Sequence, residues 1–247
     1  MKKILIYSLS LLSLMFVRNA NAQSILPDTL EKQIAVIPGD FADPSIIRIG
    51  KTYYAAGTSS EWAPYFPLFK SENLTEWKSA GYLFQEKPAW AKSSFWAPEL
   101  FNYRGKCLAY YVAKRKSDGV SCIGVALANK PEEGFKDKGI LLSHGGEAID
   151  PFVFEDNGKL YLSWKAYGLA NRPIELLCAE LSADGTKVIG EPFSLLKDDK
   201  REGMEGQCII KHGQFYYLFY SAGNCCGGGC SYHVKVARAK SLTGRFE

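Results

Sequence analysis

The chain has 247 residues, of which 47% are hydrophobic and 13% aromatic, and it carries a formal net charge of +4 from 30 basic and 26 acidic residues. That length supports a sizeable core, and the near-balanced charge excludes the strongly basic surface that nucleic acid or an anionic membrane would select.

Residues 1–22 read as a secretory signal peptide. MKK is a basic start, ILIYSLSLLSLMFV a short apolar run with serines in it, and Ala20-Asn21-Ala22 an A-x-A cleavage site. The run is short for a membrane span. No cysteine stands at the cleavage site to carry a lipid, the first being Cys107. A secreted or periplasmic protein without a membrane anchor is expected. The segment holds Lys2, Lys3 and Arg18 and no acid, so its removal leaves the chain close to neutral.

Residues 23–247 repeat themselves. Asp43 opens DPSIIRIGKTYYAAG, Glu99 opens ELFNYRGKCLAYYVA, Asp150 opens DPFVFEDNGKLYLSW and Glu205 opens EGQCIIKHGQFYYLFYSAG, at steps of 56, 51 and 55 residues. Each copy has an acid, a short apolar strand, a Gly-containing turn and a Tyr-rich strand, which is the pattern of a hairpin. PLFKSENLTEW, IGVALANKPEEGF, IELLCAELSADG and VKVARAKSLTGRF follow in turn as a third strand and a return. No long helical pattern interrupts them. Four antiparallel strands per unit at this period predict an all-β fold, a β-propeller with four blades visible.

In a propeller, equivalent positions converge on one mouth, so Asp43, Glu99, Asp150 and Glu205 are expected to form a ring of carboxylates. One Asp-Pro is ordinary turn chemistry. Four converging acids repel one another and need a reason to persist. A hard cation such as Ca²⁺ would be one. Catalysis is the other, because crowding keeps one carboxyl protonated near neutral pH. A carboxylate poised as base and a carboxyl poised as acid are the equipment of glycoside hydrolysis. Trp96 and Trp62 are candidates to stack on a sugar face, and Phe41 to wall its pocket.

The ordered motifs GDFADPS, FWAPEL, AIDPFVF and MEGQ, the last followed by YYLFYSAG, resemble glycoside hydrolase family 43, its arabinofuranosidase and β-xylosidase members in particular. The resemblance covers nearly all of residues 23–247. It implies a five-bladed propeller that cleaves α-L-arabinofuranosyl or β-D-xylosyl linkages of plant cell-wall carbohydrates with inversion. By motif, Asp43 matches the general base, Glu205 the general acid, and Asp150 the residue that tunes and orients the acid. Glu202 is the rival for the acid, and Glu205 is preferred for its place at the head of a strand. Glu99 matches a substrate-site position. The chemistry implied needs no cofactor, and a structural Ca²⁺ in the channel is not assigned to residues. A fifth acid at the same step would fall beyond Glu247, so the resemblance reads 23–247 as a catalytic domain lacking its fifth blade. Two other functions compete: a non-catalytic carbohydrate-binding propeller, and a retaining propeller of the fructan-hydrolysing type.

GNCCGGGCSY, residues 223–232, stands apart from the repeat and is expected beside the mouth. Export favours a disulfide among Cys225, Cys226 and Cys230. A zinc site with His233 lacks a fourth ligand, and free thiols are the third reading. Cys107, Cys122, Cys178 and Cys208 sit singly in apolar segments, as buried thiols do.

Overall fold

A computed structural model describes residues 35–167, 174–226 and 228–247. The signal-peptide segment lies outside them. So do residues 23–34, and residues 35–37 form no strand. Residues 45–84 form an antiparallel meander of β1 (Ser45–Ile49), β2 (Thr52–Ala56), β3 (Tyr65–Ser71) and β4 (Lys78–Phe84). The order repeats in β5 (Ala91–Tyr103), β6 (Lys106–Arg115), β7 (Ser121–Ala128) and β8 (Lys136–Leu142). It repeats again in β9 (Glu147–Asp156), β10 (Lys159–Tyr167), β11 (Ile174–Leu181) and β12 (Phe193–Lys197). A single parallel pair, Ser121 with Glu147, joins these two units into one formal sheet. The fourth unit has β13 (Met204–His212), β14 (Phe215–Ala222) and β15 (His233–Ala239). In place of an outer strand, Glu247 exchanges both backbone hydrogen bonds with Arg238. Pro131–Glu133, a 3₁₀ turn, is the one helical element among the described residues.

Strand alternation explains how the units stack. Successive side chains on a strand point to opposite faces. On β6, Cys107, Ala109, Tyr111 and Ala113 pack into one core with Tyr54, Phe66 and Leu68 of the first unit. The intervening Leu108, Tyr110 and Val112 pack into a second core with Leu160, Leu162 and Trp164 of the third. A third core joins Leu176 and Cys178 to Ile209, Tyr216 and Leu218 of the fourth. The middle strands are therefore apolar on both faces, which is the packing of propeller blades.

The register of the units corrects the expected ring. Cross-strand partners lie eleven residues apart in every unit: Ser45 with Ala56, Glu99 with Tyr110, Phe152 with Ser163, and Cys208 with Phe219. Glu99 is thus the counterpart of Ser45, Phe152 and Cys208, not of the aspartates. The counterparts of Asp43 and Asp150 are Ala97 and Gly206, at more even steps of 54, 53 and 56 residues. All four have left-handed backbone, with φ of +50° at Asp43, +41° at Ala97, +54° at Asp150 and +60° at Gly206. In the last three units a register shift marks a β-bulge at this point. Glu205 comes one residue before it, level with Trp96 and Ile149.

Glu99 lies deeper than the mouth and ties three units together. Ser45 Oγ donates to its Oε2 at 2.7 Å, and the Val153 amide donates to Oε1 at 3.4 Å. The Leu100 amide in turn donates to Ser45 Oγ at 2.9 Å. Burial pushes the Glu99 carboxyl up from its ordinary 4.5 to about 7, against the two donors that favour the charged form.

Two outcomes test this packing. A Cβ on Gly124 would stand 2.6 Å from Tyr111 Cζ and 2.7 Å from Trp90 Cζ2, so Gly124→Ala overpacks the stacked Trp90–Tyr111 pair. Urea unfolding should read a loss of about 1–3 kcal/mol, and an unchanged midpoint would contradict the contact. For Glu99, the raised value means that the folded state binds more protons than the unfolded state between about pH 4.5 and 7. Stability is lost as pH rises through that window. The thermal midpoint of Glu99→Gln should therefore improve relative to wild type from pH 4.5 to 7.5, whereas a constant difference would refute the shift.

Candidate active site

The left-handed heads of the inner strands bring Asp43, Asp150 and Glu205 within electrostatic reach of one another. Burial pushes the Asp150 carboxyl up from 3.8 to about 7, and the charges of Glu205 and Asp43 add to the rise. The Gly206 amide, which donates to Asp150 Oδ2 at 2.9 Å, and the Lys165 ammonium work against it. The Gln207 side-chain amide donates to the Asp150 backbone carbonyl, and Gln207 takes the place that Pro44, Pro98 and Pro151 hold in the other units. The third and fourth units thus grip each other beside Asp150.

Asp43 is exposed, on the segment that enters β1. Thr58 Oγ1 donates to its Oδ2 at 2.6 Å and accepts the Ala97 amide at 2.8 Å. With its lone pair engaged by Ala97, the hydroxyl directs its proton at the aspartate. Phe41 is half-buried just before Asp43. Its ring lies over Gly57, where a Cβ would come 2.7 Å from Cδ2, and edge-on to Phe69 at 5.3 Å.

Glu205 is held from two sides. Lys165 Nζ donates to Oε2 at 2.7 Å, and the Tyr232 hydroxyl donates to Oε1 at 3.1 Å. The turn that leads into it is set by Asp198, whose buried carboxylate accepts the Glu202 and Gly203 amides at 3.0 and 2.7 Å. Glu202 points elsewhere and pairs with Lys235 on the surface. Tyr232 belongs to the Cys-rich segment, so that segment does reach the mouth. Within it Cys225 is bonded to Cys226, and Cys230 is an exposed thiol. His233 Nδ1 faces the Ser231 carbonyl at 2.8 Å, and with Cys225 bonded to Cys226 the zinc reading finds no pair of free thiols in the segment.

Glu99 is not part of this cluster. Trp96 is half-buried against the second core, with Lys114 Nζ 5.6 Å from its ring centre. Trp62 is 77% exposed, on the loop that carries Thr58. Among the described residues no three His, Cys, Asp or Glu side chains form a metal-ligand set. Thr58, Lys165 and Tyr232 were not singled out by the sequence. Lys165 had a signal there, as the one charge inside the apolar run LYLSWKAY. Thr58 had none.

The chain is similar to known proteins over most of its length. The chain is 29% identical over 234 residues to the extracellular exo-α-(1→5)-L-arabinofuranosidase of Cellvibrio japonicus, covering 84% of this chain and 66% of that protein. It is 27% identical over 219 residues to the extracellular endo-α-(1→5)-L-arabinanase 1 of Bacillus subtilis, covering 83% and 66%. The chain thus spans about two thirds of the length of these relatives. The solved structure of a thermostable family-43 glycoside hydrolase superposes with a TM-score of 0.74 at 27% identity, over 83% of this chain and 70% of that one. The fold is that family's β-propeller, and residues 33–247 match the family described as Glycosyl hydrolases family 43. The chain belongs to glycosyl hydrolases family 43.

Proposed function

We propose that this chain is an inverting glycoside hydrolase acting on α-L-arabinofuranosyl linkages, with the α-(1→5) linkage first and β-D-xylosyl linkages as the second substrate class. One observation carries the reading: three carboxyls from three different units meet in three different environments. Asp43 is exposed and fixed by a single hydroxyl donor. Asp150 is pushed up to about 7. Glu205 is gripped by Lys165 and Tyr232. Such divergent environments are what separates an acid from a base.

In the proposed reaction Asp43 takes a proton from a water molecule. The water oxygen bonds to the anomeric carbon as the glycosidic C–O bond breaks on the opposite face. Glu205 gives its proton to the departing oxygen. Asp150, hydrogen-bonded to the amide next in the chain after Glu205, adjusts and orients that acid. The basic start, apolar run and A-x-A site support export, as does the extracellular description of the two arabinan-acting relatives.

Substitution separates these roles. Asp43→Asn and Glu205→Gln should each lower kcat on α-(1→5)-arabino-oligosaccharides by about 10²–10⁴-fold, the usual worth of general acid–base catalysis. On p-nitrophenyl α-L-arabinofuranoside, whose leaving group needs little protonation, Glu205→Gln should lose less than Asp43→Asn. Glu202→Gln should stay within about threefold of wild type on both, since its partner is a surface lysine. Wild type inert on both substrates and on the xyloside would favour a carbohydrate-binding propeller. Equal damage from Glu202→Gln and Glu205→Gln would refute the acid assignment.

A further inference from the structure

Lys165 is the only buried lysine among the described residues. Its neighbours on β10, Leu162, Trp164 and Ala166, point into the second core, so alternation turns Lys165 the other way. Its Nζ lies 2.7 Å from Glu205 Oε2, 3.8 Å from Glu147 Oε1 and 4.6 Å from the centre of the Tyr167 ring. Among the described residues, the charged and titratable groups facing this point can be named. Glu147 and Asp150 come from β9, Glu205 from β13, Lys114 from β6, Asp43 from the segment before β1, Tyr167 from β10 and Tyr232 from the Cys-rich segment. That is four carboxyls against two ammoniums.

Resting on the hydrolase reading above, we propose that Lys165 is a positioning residue for the reaction: it fixes the Glu205 carboxyl and supplies the charge that sets how many protons the Glu147–Asp150–Glu205 cluster holds. A buried ammonium is costly unless it is paired. Burial works to discharge Lys165, and the hydrogen bond to Glu205 with the charges of Glu205 and Glu147 outweighs it, holding the amine above its ordinary value. Burial raises Glu147 as well, and Lys165 is the largest influence against that rise. The same ammonium restrains Asp150. Since Lys165 belongs to the third unit and Glu205 to the fourth, the pair also fixes the acid across the seam between them.

The test compares wild type, Lys165→Met and Lys165→Arg. In the pH profile of kcat/KM on p-nitrophenyl α-L-arabinofuranoside, Lys165→Met should move the alkaline limb upward by about one pH unit or more, as loss of a contacting opposite charge does. Lys165→Arg should keep the wild-type limb. An unmoved limb in Lys165→Met, or an equal shift in both variants, would overturn the proposal. A second readout does not need activity. Without the cation, the carboxyls cost the folded state more as they ionise, so the thermal midpoint of Lys165→Met should fall more steeply than wild type from pH 5 to 8. Parallel midpoints, the sign of a packing role alone, would overturn the proposal. If Lys165→Met is unfolded at pH 8, folding at pH 5 supports the charge role and unfolding at both pH values refutes it. A wild type that cleaves no glycoside sinks the hydrolase reading, while the midpoints still decide the role of the charge.

Discussion

The structure depends on one backbone device, a left-handed residue at the head of each inner strand. An L residue with φ near +50° is strained, and aspartate and glycine tolerate it best. Here it recurs at Asp43, Ala97, Asp150 and Gly206. In the last three units a bulge accompanies it, which bends the strand and re-aims the side chains on either side, a device common beside active sites. At Asp43 and Asp150 the left-handed residue itself is the carboxyl. In the fourth unit the bulge residue is glycine, and its bare amide reaches across to Asp150 Oδ2. Glu205, one residue earlier, then faces Lys165.

Electrostatics then distinguishes groups that the fold brings together. Asp150 and Glu99 are both pushed up to about 7, mainly by burial, yet their partners differ. Glu99 meets a hydroxyl and a backbone amide and no cation, and it works as a staple between units. Asp150 meets an amide, two other carboxyls and the Lys165 ammonium. Its charge state is therefore tied to what its neighbours carry, which is the property a proton-handling site needs.

Much of the fold was legible in the sequence because the repeat is written in residues with strong backbone meaning. The apolar–Gly–Tyr hairpins placed the strands. The carboxyls Asp43, Asp150 and Glu205 followed from the ordered motifs. The register of the ring did not follow from acidity. Glu99 looked equivalent to Asp150 because both are acids before an apolar run, but backbone geometry follows the residue before proline, Ala97. Reading Asp43-Pro44, Ala97-Pro98 and Asp150-Pro151 as the repeat would have exposed the shift, since Pro and its predecessor are the conformationally restricted pair. Thr58 and Tyr232 were invisible, because each acts through a contact set by loop closure and carries no local pattern. Lys165 was visible as a charge in an apolar strand, but its partner lies forty residues away on the next unit.

In the proposed reaction Asp43 activates a water molecule while Glu205 protonates the departing oxygen, with no covalent sugar on the enzyme. Proton NMR of the first-formed sugar, recorded before mutarotation during cleavage of an α-L-arabinofuranoside, tests this most directly. The account predicts β-L-arabinofuranose, the inverted anomer, as the initial product. Initial formation of the α anomer would mean retention through a nucleophilic carboxylate, and would contradict the assignment of Asp43 as a base.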